Sequence, residues 1–203
     1  MRAAHGYAAK TFGDATAWML GRVTLNPLKH IDPIGTVALP MLLAISGLPI
    51  IGYARPVPVN FNNLRRWRLH TALVALAGPG ANLVLIFLSI LFMYIVLAVP
   101  TSFTQPLLMM AVASIFINTI LMVFNLLPLP PLDGYRVVSV LLPPRIGHQL
   151  GQYEQIGMWV VILLVISGIL FKIIIPMMLI TLGIFWPMMP DAGKIIMQQM
   201  LMG

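Results

Sequence analysis

The chain has no cysteine, a single glutamate (Glu154), four aspartates and four histidines in 203 residues. Without cysteine there are no disulfides, no thiolate metal ligands and no cysteine nucleophile. Any metal must be held by His, Asp or Glu, and the search among them is short. Charge is scarce too. Only 8% of residues are charged, against about 25% in soluble domains, while 60% are hydrophobic. That excludes an ordinary soluble domain and marks an integral membrane protein. The net charge of +7 does not point to nucleic acid, because aromatic–basic patches and a separate polar domain are both missing. A bias of Lys and Arg toward cytoplasmic loops accounts for it. Met1 to Gly13 do not read as a signal peptide, lacking a charged region followed by an apolar core, and no repeat or low-complexity tract is visible. The 15 methionines are scattered, as for membrane packing, not clustered as soft metal ligands.

What is present reads as an all-α polytopic membrane protein, a single domain over 1–190. Residues 1–12 look like the last turns of a helix whose beginning is missing, stopped by Phe12-Gly13-Asp14. Residues 17–33 mix β-branched, polar and turn-forming residues and predict a short β or irregular segment after that helix. Residues 34–51 are uncharged but interrupted by Gly35, Pro40, Gly47 and Pro49. With basic residues on both flanks, the positive-inside rule favours a re-entrant segment over a span. Spans follow at about 71–99, 107–128, 156–175 and 176–189, and 191–203 forms a short interfacial tail. The basic loops 55–70 and 136–155 are expected in the cytoplasm. Within the first, Arg65, Arg66 and Arg68 read as a solvated charge run near anionic lipid.

Chemistry concentrates in few residues. The start, Met1-Arg2-Ala3-Ala4-His5, has the frame of a His-Glu-x-x-His zinc site. Two histidines four apart share a helix face there, and the intervening Glu is the base. Here Met1 stands at the first ligand position and Arg2 at the base position. A thioether is a poor zinc ligand, and a guanidinium cannot take a proton from water. His5 alone also fits a histidine on a helix surface. Asp133, after Pro128, Pro130 and Pro131, is either part of an Asp-Gly turn or an ionisable group at a helix break in the membrane, where a carboxylate suits Zn²⁺. Asn82 and Asn125 fit interhelical hydrogen bonds, or contacts to an extended substrate backbone or a tetrahedral intermediate. The glycines of Gly78-Pro79-Gly80 read as packing and kink residues. His30 and Asp32 read as a turn. His70 and His148 carry no signal.

Several ordered segments resemble the site-2 protease family of intramembrane zinc metalloproteases, in its short form without a PDZ domain. They are Ala3-Ala4-His5-Gly6-Tyr7-Ala8, Phe12-Gly13-Asp14-Ala15-Thr16-Ala17, Leu20-Gly21-Arg22-Val23-Thr24-Leu25-Asn26-Pro27 and His30-Ile31-Asp32-Pro33-Ile34-Gly35. Further ones are Pro56-Val57-Pro58-Val59-Asn60, Ala77-Gly78-Pro79-Gly80-Ala81-Asn82 and the run from Asn125 through Pro128, Pro130 and Pro131 to Asp133-Gly134. The resemblance implies a helical membrane core, one zinc ion, and proteolysis of transmembrane segments of regulatory membrane proteins in a prokaryotic cell membrane. It assigns His5 and Asp133 as metal ligands and Asn82 and Asn125 as active-site support. It also puts the first ligand at Met1 and the general base at Arg2, so no catalytic residue set is intact. Three sources fit that departure: an inactive member, a chain recorded from a late start, or an altered gene. The alternatives in function are a catalytically dead protein that binds or regulates membrane helices and, further off, a transporter. The partners expected are a membrane-helix client and the lipid bilayer, with no nucleic acid. The oligomeric state is left open.

Overall fold

The computed structural model describes residues 1–24, 37–46, 58–143 and 154–202. Every regular element among them is helical: α1 (Arg2–Phe12), α2 (Thr16–Met19), α3 (Leu39–Ile45), α4 (Trp67–Ala98), α5 (Thr104–Leu126), α6 (Asp133–Leu141), α7 (Glu154–Ile166), α8 (Ile169–Phe185) and α9 (Asp191–Met202), with 3-10 turns at Phe61–Asn63 and Trp186–Met188. The chain forms two compact units, Met1–Val74 and Ala75–Gly203.

Among the described residues three helical stretches are long and apolar enough to cross a membrane: Trp67–Ala98, Thr104–Leu126 and Ile169–Met188, of 32, 23 and 20 residues. About 20 residues suffice for a span. At 1.5 Å per residue α4 runs to roughly 48 Å, so it exceeds the hydrocarbon layer, and its polar start at Trp67, Arg68 and His70 lies at one end. The apolar part of α7 is shorter, Ile156–Ile166.

In the first unit, α1 forms because Ala3, Ala4, Ala8 and Ala9 carry the highest helix propensity. It stops at Gly13, whose φ of 121° an L side chain rarely adopts. A small core of Ala9, Leu64 and Val74, with Phe12, Val59 and Phe61 around it, holds the unit together.

The β or irregular segment expected after the first helix is corrected here. Thr16–Met19 is helical, and no strand occurs among the described residues. The physical reason is local. Asp14 accepts a hydrogen bond from the backbone N–H of Thr16, which seeds a helical turn. Ala17 and Met19 then favour helix, and the β-branched pair Val23 and Thr24 comes only after Gly21 has ended it. Of that segment, 25–33 lies outside the described residues. So do 34–36 and 47–51 of the expected re-entrant segment, whose described part carries α3.

In the second unit one core gathers Ile86, Ile90 and Met93 of α4, Val112 and Ile115 of α5, and Met178, Leu182 and Phe185 of α8. Met197 of α9 is fully buried in the same cluster, so one face of the 191–202 helix packs inward. A second cluster joins Val123, Leu127, Leu132, Leu170 and Ile174. The sequence places a span boundary between 175 and 176. The chain breaks instead at Ser167 and Gly168, where Gly168 is left-handed with φ 73°. Pro176 stays inside α8. A left-handed glycine stops a helix, whereas a membrane helix tolerates an internal proline. The break also puts Lys172 in the first turn of α8, where its amine can reach the membrane surface.

Candidate functional site

His5 lies one turn into α1 and is half-buried. Its Nδ1 is 3.1 Å from the Met1 carbonyl oxygen. A carbonyl only accepts, so Nδ1 donates in this contact, and Nε2 is shielded from solvent. A backbone carbonyl on one ring nitrogen is the kind of contact that orients a metal-ligating histidine. Arg2 is the first residue of α1 and Met1 its N-cap. The zinc frame is therefore helical, as expected, but of its three chemical positions only His5 has a usable donor.

The end of α1 is fixed by a residue the sequence reading used only as part of a motif. Asp14 is 0% exposed. Its Oδ1 accepts from the backbone and hydroxyl of Thr16 and from Asn63 Nδ2 at 3.0 Å. Its Oδ2 accepts from the Asn60 N–H at 2.8 Å. Burial pushes this carboxyl up, but the hydrogen bonds from Thr16, Asn63 and Asn60 outweigh it and hold it below the usual carboxylate value. Arg65 N–H donates to the Phe12 carbonyl at 3.1 Å, and the Phe12 and His70 rings stack with centroids 4.5 Å apart. A Cβ on Gly13 would lie 3.0 Å from the Asn63 carbonyl. The turn that follows the His5 helix is thus clasped to 60–65. Its available sequence signal was Asp14-x-Thr16, a capping pattern.

Asp133 opens α6, where a carboxylate is favoured by the helix dipole. The glycine after it is needed for contact, not for a positive φ. A Cβ on Gly134 would fall 2.1 Å from the Leu126 carbonyl oxygen and 2.6 Å from that of Leu127. The start of α6 therefore lies against the end of α5, and Asp133 and Asn125 come to one corner. The 127–132 segment between them is pinned by the buried side chains of Leu127 and Leu132. It is also braced by Gly157 of α7, where a Cβ would lie 2.4 Å from Pro130 Cβ. Asn125 Nδ2 donates to the Leu121 carbonyl at 2.7 Å.

Asn82 sits on the inward stripe of α4 with Ile86 and Ile90, 2% exposed, and its buried Nδ2 has no hydrogen-bond partner among the described residues. The buried hydroxyls of Thr71 in α4 and Thr119 in α5 likewise have none, whereas Ser89, Ser114 and Asn118 are bonded. Ser89 Oγ donates to the Leu85 carbonyl at 2.8 Å and lies 2.8 Å from Ser114 Oγ. Asn118 Nδ2 donates to the Ser114 carbonyl and hydroxyl. Each hydroxyl has one proton, so Ser114 must donate to Ser89, and the chain of bonds closes. An open groove of about 370 Å³ runs beside this pair, apolar except for Ser89 and Ser114.

His5 belongs to the first unit, and Asn82, Asn125 and Asp133 to the second. No group of three or more His, Asp or Glu that could hold a metal occurs among the described residues. His30, Asp32 and His148 lie outside them.

Comparison with known proteins adds the lineage. The chain is 39% identical over 179 residues to the "Putative zinc metalloprotease YwhC" of Bacillus subtilis, which covers 86% of the chain and 78% of that protein. It is 33% identical over 168 residues to the "Putative zinc metalloprotease Rip2" of Mycolicibacterium smegmatis, covering 80% of the chain and 61% of the relative. The protein of that name from Mycobacterium tuberculosis is 31% identical over 159 residues, or 76% of the chain and 57% of the relative. The chain thus spans less than two thirds of the length of either Rip2 protein. No protein-family model and no solved structure matches it.

Proposed function

The chain belongs to the site-2 protease-like family of zinc metalloproteases, and on that premise we propose that it engages transmembrane segments of other membrane proteins without hydrolysing them. Arg2 carries this reading. It occupies the position where such an enzyme needs a base, it cannot accept a proton from water, and its charge repels a metal cation. A catalytic zinc takes three protein ligands and a water. This chain offers His5, oriented by the Met1 carbonyl, and Asp133, while Met1 supplies only a thioether. The residues present therefore do not complete a zinc centre, and no hydrolytic step is routed through one.

Client binding rests on other groups. In this reading Asn82, buried with an unsatisfied amide, and Asn125 contact the backbone of the client segment. A client helix that unwinds beside Asn82 would supply the carbonyl its amide lacks. In this reading the basic residues Arg65, Arg66, Arg68 and Arg136 face the cytoplasm, and the client enters from the bilayer.

The test is to purify the full chain, measure zinc by elemental analysis, and incubate it with a model transmembrane segment. Substoichiometric zinc, and capture of the intact segment that weakens on changing Asn82 to Leu, are expected. Zinc near one per chain together with cleavage lost in Asp133→Asn would overturn the proposal. Met1→His combined with Arg2→Glu supplies the missing donor and base, and zinc uptake should rise in that variant alone.

A further inference from the structure

Outside the positions discussed above, the first unit carries a surface whose composition suits neither water nor hydrocarbon. Trp18, Met19 and Leu20 are consecutive and exposed, at 42%, 76% and 55%. Tyr7 meets the edge of Trp18 with centroids 5.8 Å apart. The Lys10 ammonium lies 3.1 Å from the centroid of the Trp18 ring, so α1 and α2 share one cation–aromatic ledge. Beside it, at the end of α1, are two more exposed cations. Arg65 is tied by its backbone to Phe12, its Cγ would lie 3.2 Å from a Cβ on Gly13, and Arg66 follows it.

We propose that this corner is seated in the headgroup layer of an anionic membrane leaflet. The cations Lys10, Arg65 and Arg66 are too costly to place in hydrocarbon. Three consecutive exposed apolar side chains are unfavourable in water. Only the interfacial layer accepts both, and Trp, Tyr and Lys are the residues that collect there. The sign of the leaflet follows from charge. Asp14 is the one acid among the described residues of this unit, and it is buried with both oxygens hydrogen-bonded. Among the described residues the exposed charge of this unit is therefore of one sign, and anionic headgroups complement it. The consequence is positional: the corner fixes the depth of α1, and hence of His5, relative to the bilayer surface. The inference stands on this surface alone and is independent of zinc and of the client.

The test uses the full chain with Trp67→Phe, Trp159→Phe and Trp186→Phe, which leaves Trp18 as sole fluorophore. It is reconstituted in phosphatidylcholine vesicles, with or without phosphatidylglycerol, whose acyl chains carry bromine at shallow or deep positions. Shallow bromine should quench Trp18 more than deep bromine does. Phosphatidylglycerol should strengthen the shallow quenching, and that increment should be lost when Lys10, Arg65 and Arg66 are changed to Gln. Should the triple Trp variant not fold, Trp18→Phe in the otherwise unaltered chain must remove the shallow component of the total quenching. Quenching strongest at the deep position, Trp18 reached by aqueous acrylamide equally in vesicles and in detergent, or no dependence on phosphatidylglycerol would each overturn the proposal. In the acrylamide case the ledge faces a water-borne partner, an acidic protein segment, and not lipid.

Discussion

Each unit contains a corner that holds two segments together beside the helix of a candidate ligand, His5 in one and Asp133 in the other, and the two corners are built on opposite principles. In the first unit, the turn after the His5 helix is held to 60–65 by a buried carboxylate that accepts from Thr16, Asn60 and Asn63. In the second, the start of the Asp133 helix is held against the end of α5 by the lack of a side chain at Gly134, and 127–132 is braced by the same lack at Gly157. The first clasp is polar, and so is sensitive to proton concentration and to loss of any partner. The second is steric. It has no titrating atom in its close contacts and tolerates no added carbon. Two means of fixing a helix therefore fail under different insults.

The largest expected effect comes from the steric corner. Gly134→Ala places a carbon 2.1 Å from a backbone carbonyl oxygen, and neither side of that contact is a flexible side chain. Overpacking of this kind costs about 3 kcal/mol or more. SDS-induced unfolding followed by circular dichroism should show a loss of that order. A change under about 1 kcal/mol would mean that the corner yields and that Gly134 is not what closes it.

Asp14→Ala comes second. It strands the N–H groups of Asn60 and Thr16 and the amide of Asn63, and hydrogen bonds to a charged group are worth about 1.5–3 kcal/mol each. With partial rescue by water the expected loss is about 2–3 kcal/mol. Hydrogen exchange should find it confined to 1–24 and 58–74, with Ala75–Gly203 unaffected. Asp14→Asn keeps the shape and one acceptor and should cost less. If the two variants are equal, the charge and not the bond count holds the clasp.

The same contrast predicts a pH response. Hydrogen bonding lowers the Asp14 carboxyl below its ordinary value in the folded state. Its contribution is then fully present above the unfolded value of about 3.9 and is lost as pH falls through the lowered folded value. Below about pH 4 protection of the first unit should decline, and in Asp14→Asn that acid-dependent part should flatten. The Gly134 corner should show no such step. An acid response that persists in Asp14→Asn would assign it to another group.

Much of this was legible in the sequence, and the limits have physical causes. Lipid demands about 20 apolar residues per span, so α4 and α5 could be read from composition. The break at Gly168 could not, because Pro176 seemed the stronger stop and an apolar environment tolerates it. α2 was missed because one capping carboxylate outweighs the β-branched residues that follow. His5 and Asp133 could be singled out because so few side chains in the chain can bind metal. The clasp of Asp14 could not be read, since its partners Asn60 and Asn63 lie 46 and 49 residues away. Gly134 drew attention only as part of Asp-Gly, and its need for a bare backbone is a tertiary contact with Leu126.

The smallest effect separates architecture from function. Asn82 is as buried as Asp14, but its amide nitrogen lacks the partners that Asp14 enjoys. Burying an unsatisfied amide costs about 1–3 kcal/mol, and a leucine of similar size removes that cost while leaving the stripe with Ile86 and Ile90 filled. Asn82→Leu should therefore leave stability unchanged or raise it by about 1 kcal/mol, where Asp14→Ala lowers it. Thermal denaturation in detergent, run beside client capture, reads both sides. Stability retained with capture lost assigns the amide to a ligand and explains why a membrane helix keeps an amide nitrogen with no partner among the described residues. Stability lost by more than about 1 kcal/mol would instead give Asn82 a partner within the protein and make it, like Asp14, a clasp.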